Sequence, residues 1–252
     1  MAWTMAAAIT SSAGTLTPSS VMAGPPFRTD DPEPVEYRHW EFYVFSAATH
    51  VRGDTSGTLP GFELNYGAAP DLQLHLVAPI AFDKPSGEAW QSGYGDTEFG
   101  VKYRFIQEDE EGSRPMVGVF PMVEAPTGDK GRGLGSGHTR VFLPMWIQKS
   151  FGTWQTYGGG GYWINTGDAN RNYWFAGWQV QRQITDQLTL GGEIFHQTAD
   201  TVGGSGSTGF DLGGFYDVTE NHHLLFSAGR GAFRNANDTN EFSYYLAYQL
   251  TF

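Results

Sequence analysis

The sequence contains no cysteine. That removes a disulfide framework and any zinc site built on thiolates. No run of eighteen apolar residues occurs, so no transmembrane helix is on offer. Charge is scarce: Asp, Glu, Lys and Arg make up 17% of the 252 residues, and the net charge is −12. A nucleic-acid partner would need a basic face that this chain does not have. Helical periodicity is missing over any useful length, and no linker divides the chain. Glycine (34 residues) and aromatics (15%) are plentiful instead. A soluble sandwich or barrel fits that composition, and so does a transmembrane β-barrel, whose hydropathy signal is weak in each segment.

The first 23 residues, MAWTMAAAITSSAGTLTPSSVMA, carry no acidic group and end in small residues. Val21-Met22-Ala23 before Gly24 resembles a signal-peptidase site, although no Lys or Arg precedes Arg28 to form a basic n-region. Residues 1–23 are therefore expected to be a signal peptide, truncated at its front. Residues 24–37, GPPFRTDDPEPVEY, are rich in proline and acid and read as a periplasmic arm. The arm is too short for a plug domain, yet it can enter a lumen from below. Residues 38–252 are expected to form a single barrel.

From there one pattern repeats. In FSYYLAYQLTF, Phe242, Tyr244, Leu246, Tyr248, Leu250 and Phe252 share one face, and Ser243, Tyr245, Ala247, Gln249 and Thr251 share the other. In TEFGVKYRF, Phe99, Val101, Tyr103 and Phe105 oppose Glu98, Gly100, Lys102 and Arg104. A period of two marks a strand. Read this way, the chain gives about twelve strands, near 38–50, 59–67, 72–82, 94–106, 115–125, 139–149, 154–164, 172–184, 187–197, 208–217, 223–231 and 242–252. Short connections (GAAPD, KSFGT, ITDQ, DVTENH, and the somewhat longer QEDEEGSR) alternate with long ones near 51–58, 83–93, 126–138, 165–171, 198–207 and 232–241. Outer-membrane barrels alternate periplasmic turns and extracellular loops in this way. An even strand count places both termini on the periplasmic side.

The faces separate a membrane barrel from a soluble one. The apolar face carries Phe, Tyr, Trp, Leu and Val on nearly every strand. The other carries Glu41, Glu63, Asn65, Gln73, His75, Glu98, Lys102, Arg104, Glu124, Gln179, Glu193 and Asp211. A dry core would leave many of those charges without partners, whereas a wet lumen accommodates them. Closure also removes sheet edges, which lipid does not tolerate. Trp40, Tyr66, Trp146, Trp154, Trp163, Tyr173 and Phe252 fall near strand ends, as interfacial girdles require; core filling of a sandwich is the alternative. The expected fold is an all-β, transmembrane, antiparallel up-and-down barrel integral to the bacterial outer membrane.

These residues resemble a known family. The arm GPPFRTDDPEPVEYRHWEFY and the stretches GYGDTEFGVKYRF, EAPTGD, RGLGSG, WIQKSFGTWQTYGGGGYWIN and NRNYWFAGWQVQRQITDQLTLGGEIFHQT are similar to bacterial outer-membrane, transporter-like proteins labelled for a meta-pathway of phenol degradation. The resemblance runs from about Gly24 to Phe252. It implies aromatic compounds as a substrate class through a label drawn largely from genomic neighbourhood. The closing Thr251-Phe252 is similar to the terminal aromatic that the barrel-assembly machinery reads in outer-membrane barrels.

Two chemical motifs fail on inspection. GDKGRGLGSGHT, residues 128–139, looks like a phosphate cradle, but Leu134 stands where a P-loop needs lysine and Ser136 where GxGxxG needs its last glycine. A strand, TRVFLPMWIQ, follows it in place of a helix. Lys130 and Arg132 become candidates for a loop constriction over an acidic lumen. Ser136 with His138, and Asp200 with His196, are the residues on which a hydrolase would rest, but no enzyme is expected. His222-His223 point to opposite faces of a strand, so no metal is expected, and no cofactor. The pore-lining candidates are Glu41, Glu63, His75, Glu98, Lys102, Arg104, Glu124, Glu193 and Asp211. They fit a salt-bridge network that stiffens the barrel and a polar constriction that selects solutes. The glycine run 158–161 fits a strand bend, or a gap in the wall.

The expected function is passive passage of small solutes, aromatic or hydrophobic compounds among them. A closed scaffold barrel and an outer-membrane hydrolase are the alternatives. Expected partners are outer-membrane lipid and lipopolysaccharide, a small-molecule solute, and the assembly machinery through Phe252.

Overall fold

Period-two alternation becomes one closed antiparallel sheet. The computed structural model describes residues 25–51, 53–85, 87–109, 113–232 and 240–252; the leader expected over 1–23 lies outside them. The strands are β1 (Trp40–Val51), β2 (Asp54–Ala69), β3 (Leu72–Pro85), β4 (Gln91–Tyr94), β5 (Thr97–Ile106), β6 (Met116–Val119), β7 (Met122–Ala125), β8 (Arg140–Phe151), β9 (Trp154–Asn165), β10 (Tyr173–Gln183), β11 (Leu188–Gln197), β12 (Ser207–Thr219), β13 (His222–Gly231) and β14 (Asn240–Thr251). β4 is a short rim strand on the far end of β3. β6 and β7 are one barrel strand broken at Phe120-Pro121, where proline cannot donate to the ladder. Twelve strands therefore make the wall, as expected.

Each strand pairs with its sequence neighbours, and β1 closes the ring on β14, from Glu41 opposite Thr251 to Thr49 opposite Ser243. The two ends of the barrel are tied directly: the N–H of Trp40 donates to the carbonyl of Phe252 at 2.7 Å, and the reverse bond is 3.0 Å. Closure leaves no unpaired edge for lipid to meet. The short connections and both termini of the wall lie at one end, called here the turn end; the longer connections lie at the loop end.

One loop differs from expectation. The connection read near 51–58 shrinks, because β1 runs to Val51 and β2 already starts at Asp54. The residues in between, Asp54 to Thr58, pair with β1 and β3 despite their polar, turn-like composition. Cross-strand bonding overrides local propensity there.

The alternation sorts the side chains as expected on most strands. Phe99, Val101, Tyr103 and Phe105 are exposed on the outer face, while Lys102 is buried within. On β14, Phe242 and Leu246 face out, and Ser243, Ala247 and Gln249 are buried. The outer wall is thus an apolar belt suited to hydrocarbon. Part of the girdle reading is overturned. Trp40 stacks on Tyr66 with ring centroids 4.2 Å apart at the turn end, and Trp154 and Phe252 are exposed. Trp146 and Tyr173, however, are buried, and Trp163 stacks on buried Phe142 at 4.7 Å. These three face inward. The reason is parity: Trp146 is two residues from inward Gln148, and Tyr173 has the same parity as buried Gln179, so both share a face with polar residues.

The glycine run also resolves. At Gly159, φ is 149°, a conformation only glycine adopts readily. A Cβ on Gly158 would collide with the ring of Trp178, and one on Gly161 with the backbone of Pro144. Neighbouring groups fill the space the glycines leave, and the wall has no gap at this point.

Candidate functional site: the filled lumen

Residues 25–36 run through the interior of the barrel. Thr29, Asp31 and Pro32 are fully buried there. An irregular segment inside a barrel has no ladder to satisfy its N–H groups. Its composition reduces that demand, since Pro25, Pro26, Pro32 and Pro34 have no N–H to satisfy. Side chains of the arm meet two of the others, Asp30 accepting the N–H of Asp31 at 2.7 Å and Asp31 that of Glu33 at 2.6 Å, and lumen side chains meet three more. Glu193 accepts the N–H of Arg28 at 2.7 Å on one carboxylate oxygen and that of Thr29 at 2.8 Å on the other. Gln73 accepts the N–H of Val35 at 2.9 Å, and Ser227 donates to the carbonyl of Pro26 at 2.6 Å. Gln148 donates to Glu33 at 3.1 Å. The segment read as an arm able to enter the lumen therefore occupies it.

The sequence-derived residues fall into separate groups. Glu41, Glu63, His75, Glu98 and Lys102 gather on the β1–β5 wall. His75 sits between Asn65 Oδ1 at 2.7 Å and Glu98 Oε1 at 3.0 Å, with Glu63 at 3.6 Å. Asn65 donates to Glu63 at 2.9 Å, and the Tyr43 hydroxyl donates to Glu41 at 2.8 Å. Lys102 reaches across to the arm, 3.0 Å from Asp30 and 3.5 Å from Asp31, and lies 5.0 Å over the Phe120 ring. Glu193 and Asp211 are direct cross-strand partners on the opposite wall. Two predicted residues lie elsewhere. Arg104 pairs with Asp71 in the β2–β3 turn at 2.7 Å, and Glu124 is forked by Arg140 near the loop end.

An aromatic wall stands across from the titratable one. Phe142 stacks on Trp163 at 4.7 Å, and Trp163 on Tyr173 at 5.9 Å. Phe175 meets Phe142 edge-on at 6.2 Å and stacks on Phe195 at 6.3 Å. Arg140 lies 5.3 Å over Trp163, and Arg28 of the arm 4.8 Å over Phe195. Sequence reasoning missed this wall by sending aromatics outward as a class; their parity with Gln148 and Gln179 was the available signal.

The loop that resembled a phosphate cradle is tied down by Asp96, between β4 and β5. Asp96 accepts the N–H of Gly128 at 2.9 Å and that of Ser136 at 2.6 Å. Burial acts to raise the Asp96 carboxyl, but the Ser136 and Gly128 bonds and the charge of Arg140 outweigh it and hold it below the usual range. Lys130 and Arg132 are exposed, and Arg132 bonds Gln91 Oε1 at 3.1 Å and the Ser92 carbonyl at 3.0 Å on rim strand β4. Arg132 thus contacts the rim, and the Lys130 side chain lies against Gly137 of its own loop. The Ser136 hydroxyl lies 2.7 Å from Asp96 Oδ2, while His138 Nδ1 contacts the Ser136 carbonyl at 2.8 Å, so no hydroxyl–imidazole pair forms. His196 bonds Thr208 at 2.8 Å. His222 and His223 face opposite sides: His222 is exposed, and buried His223 bonds Asp217 at 2.6 Å.

Cavities lie around the arm among the described residues. One of about 320 Å³ separates it from the β1–β5 wall. One of about 600 Å³ opens at the turn end, and Val35, Glu36 and Glu41 line both. A third, of about 370 Å³, lies against β1, β2 and β14. Thr29 Oγ1 and Asp31 Oδ2 of the arm, and Oε1 of Gln148 beside it, are buried without a hydrogen-bond partner among the described residues. The seam is polar and incompletely matched, unlike a packed core.

A family model described as "Putative MetA-pathway of phenol degradation" matches residues 38–248. Among solved structures, an outer membrane channel from Pseudomonas putida F1 superposes with a TM-score of 0.68 at 18% identity, covering 87% of this chain and 99% of that one. The NanC porin superposes with a TM-score of 0.58 at 9% identity, covering 84% and 98%. At such identities the likeness is one of fold. No curated protein matches the sequence.

Proposed function

Because the chain belongs to the phenol-degradation family that matches residues 38–248, we propose that it is an integral outer-membrane barrel that passes small solutes passively, aromatic and hydrophobic compounds among them. The observation that carries this reading is the division of the lumen into an aromatic wall and a titratable wall. Half-buried Trp163 and Phe175, backed by buried Phe142 and Phe195, give an aromatic solute ring surface to pack on. Glu41, Glu63, His75, Glu98 and Lys102 form the polar side of the constriction, and Glu193 with Asp211 holds the arm that narrows it. Both ends of the wall face the periplasm, with the longer loops outside. Glu124, Lys130 and Arg132 then belong to the outer rim, and Arg104 to the periplasmic rim. Phe252 is the signal for the assembly machinery. The apolar belt meets membrane lipid and lipopolysaccharide.

The test has two parts. Outer-membrane fractionation and heat-modifiable migration on unboiled gels check the barrel; a soluble periplasmic product would refute it. Purified full chain in liposomes is then assayed for flux of phenol, arabinose and small ions. Phenol entry faster than in protein-free liposomes supports a channel. The filled lumen also fits a closed scaffold barrel, and absence of flux for all three solutes would favour that reading.

A further inference from the structure

The cavity of about 370 Å³ beside the arm originates in the sequence. Ala47, Thr49, Ser56 and Thr58 put small side chains on neighbouring strands β1 and β2. The arm supplies Phe27 and Arg28 to the same cavity. The Arg28 side chain is 40% exposed and stands 3.8 Å from Asp211, beyond hydrogen-bond reach. Among the described residues its guanidinium makes one hydrogen bond, 3.4 Å to Thr49 Oγ1. A guanidinium has five N–H donors in a fork that matches a carboxylate, so most of this fork is uncommitted. The guanidinium carbon lies 4.8 Å over the Phe195 ring, a cation–π contact that helps to hold the group there. Tyr245 also lines the cavity, with its hydroxyl buried and without a hydrogen-bond partner among the described residues.

We propose that this cavity binds a small monocarboxylate carried on an apolar or aromatic body. Arg28 receives the carboxylate, and Phe27 and Ala47 contact the body. The assignment rests on the channel reading for the ligand's route into the cavity. Charge admits no more than a monoanion. Arg28 already stands 3.8 Å from Asp211, with Glu193 across the strand pair, so the carboxylate shares the guanidinium with Asp211 and a second negative charge is opposed. A dianion such as phosphate, or an uncharged ring, lacks one half of the match. The volume lies at the lower end of small-ligand pockets, roughly 300–1,000 Å³, which suits a single-ring acid.

Calorimetric titration of the purified full chain with benzoate, benzyl alcohol and inorganic phosphate tests this. Benzoate should bind saturably, and the other two at least about tenfold more weakly, the scale of one charged hydrogen bond. Arg28→Gln should weaken benzoate roughly 10- to 100-fold. Because Arg28 belongs to the arm, a wall variant serves as an independent check: Ala47→Leu, which fills the cavity, should abolish binding. Heat-modifiable migration reports whether each variant still folds. Absence of saturable benzoate binding, or equal binding by wild type, Arg28→Gln and Ala47→Leu, would overturn the assignment. The channel reading fails separately: phenol flux without benzoate binding sinks only this site, and benzoate binding without any flux sinks only the channel.

Discussion

Thr29 of the arm is seated on Gly177 of β10, so closely that a Cβ placed on Gly177 would overlap Thr29 Oγ1. A segment inside a barrel needs such seats, because a side chain at position 177 would take the space that the arm occupies. Gly177→Leu should therefore displace the arm while leaving the wall intact. The expected result is a larger single-channel conductance in planar bilayers, with heat-modifiable migration unchanged. Equal conductance in wild type and variant would show that the arm does not limit the pore.

The two N–H bonds to Glu193 provide a second handle on the arm. Hydrogen bonds to a charged group contribute about 1.5–3 kcal/mol each. Glu193→Ala should raise the population with the arm outside by at least about tenfold. Arg28 is a trypsin site that the closed arm protects. Cleavage after Arg28 should accelerate in the variant, followed by mass spectrometry, and an unchanged rate would remove Glu193 as the latch.

The aromatic wall predicts selectivity. Trp163→Ala removes a ring that stacks on both Phe142 and Tyr173. It also widens the lumen, so arabinose flux should rise while the phenol-to-arabinose ratio falls about two- to tenfold, the scale of one aromatic contact. A ratio that stays constant would mean that solutes bypass this wall.

Asp96 predicts how the loop spanning 126–139 responds to acid. Its carboxyl titrates below the ordinary aspartate range in the folded protein. The stability it contributes is therefore present above that ordinary range and is lost as pH falls through the depressed value. Hydrogen exchange at the Gly128 and Ser136 amides, corrected for intrinsic rates, should stay protected at neutral pH and open only in strong acid. Asp96→Asn should weaken protection at pH 7 and remove the acid transition. Protection that is identical in both proteins at every pH would exclude Asp96 as the anchor.

Much of the barrel was legible in the chain because membrane strands obey a strict rule. Period-two alternation in TEFGVKYRF and FSYYLAYQLTF places Lys102 and Gln249 inside, and Phe99 and Leu246 outside. Side-chain parity carries that information locally, so no distant contact was needed. The rule was misapplied where residue type was allowed to override parity, as for Trp146, Trp163 and Tyr173. The length of the first hairpin was also misread, because pairing across strands extended β2 through DTSGT.

By itself, then, the sequence determined the closed, twelve-stranded, polar-lined wall and its apolar exterior, since each strand states its own two faces. Only the tertiary structure decided what fills that wall. Glu193 lies 164 positions from Thr29, and Lys102 lies 72 from Asp30. Whether a proline-rich segment stays outside or threads the lumen depends on whether distant side chains can satisfy its few N–H groups. A local pattern cannot hold that information, because it exists only once the barrel has closed around the segment.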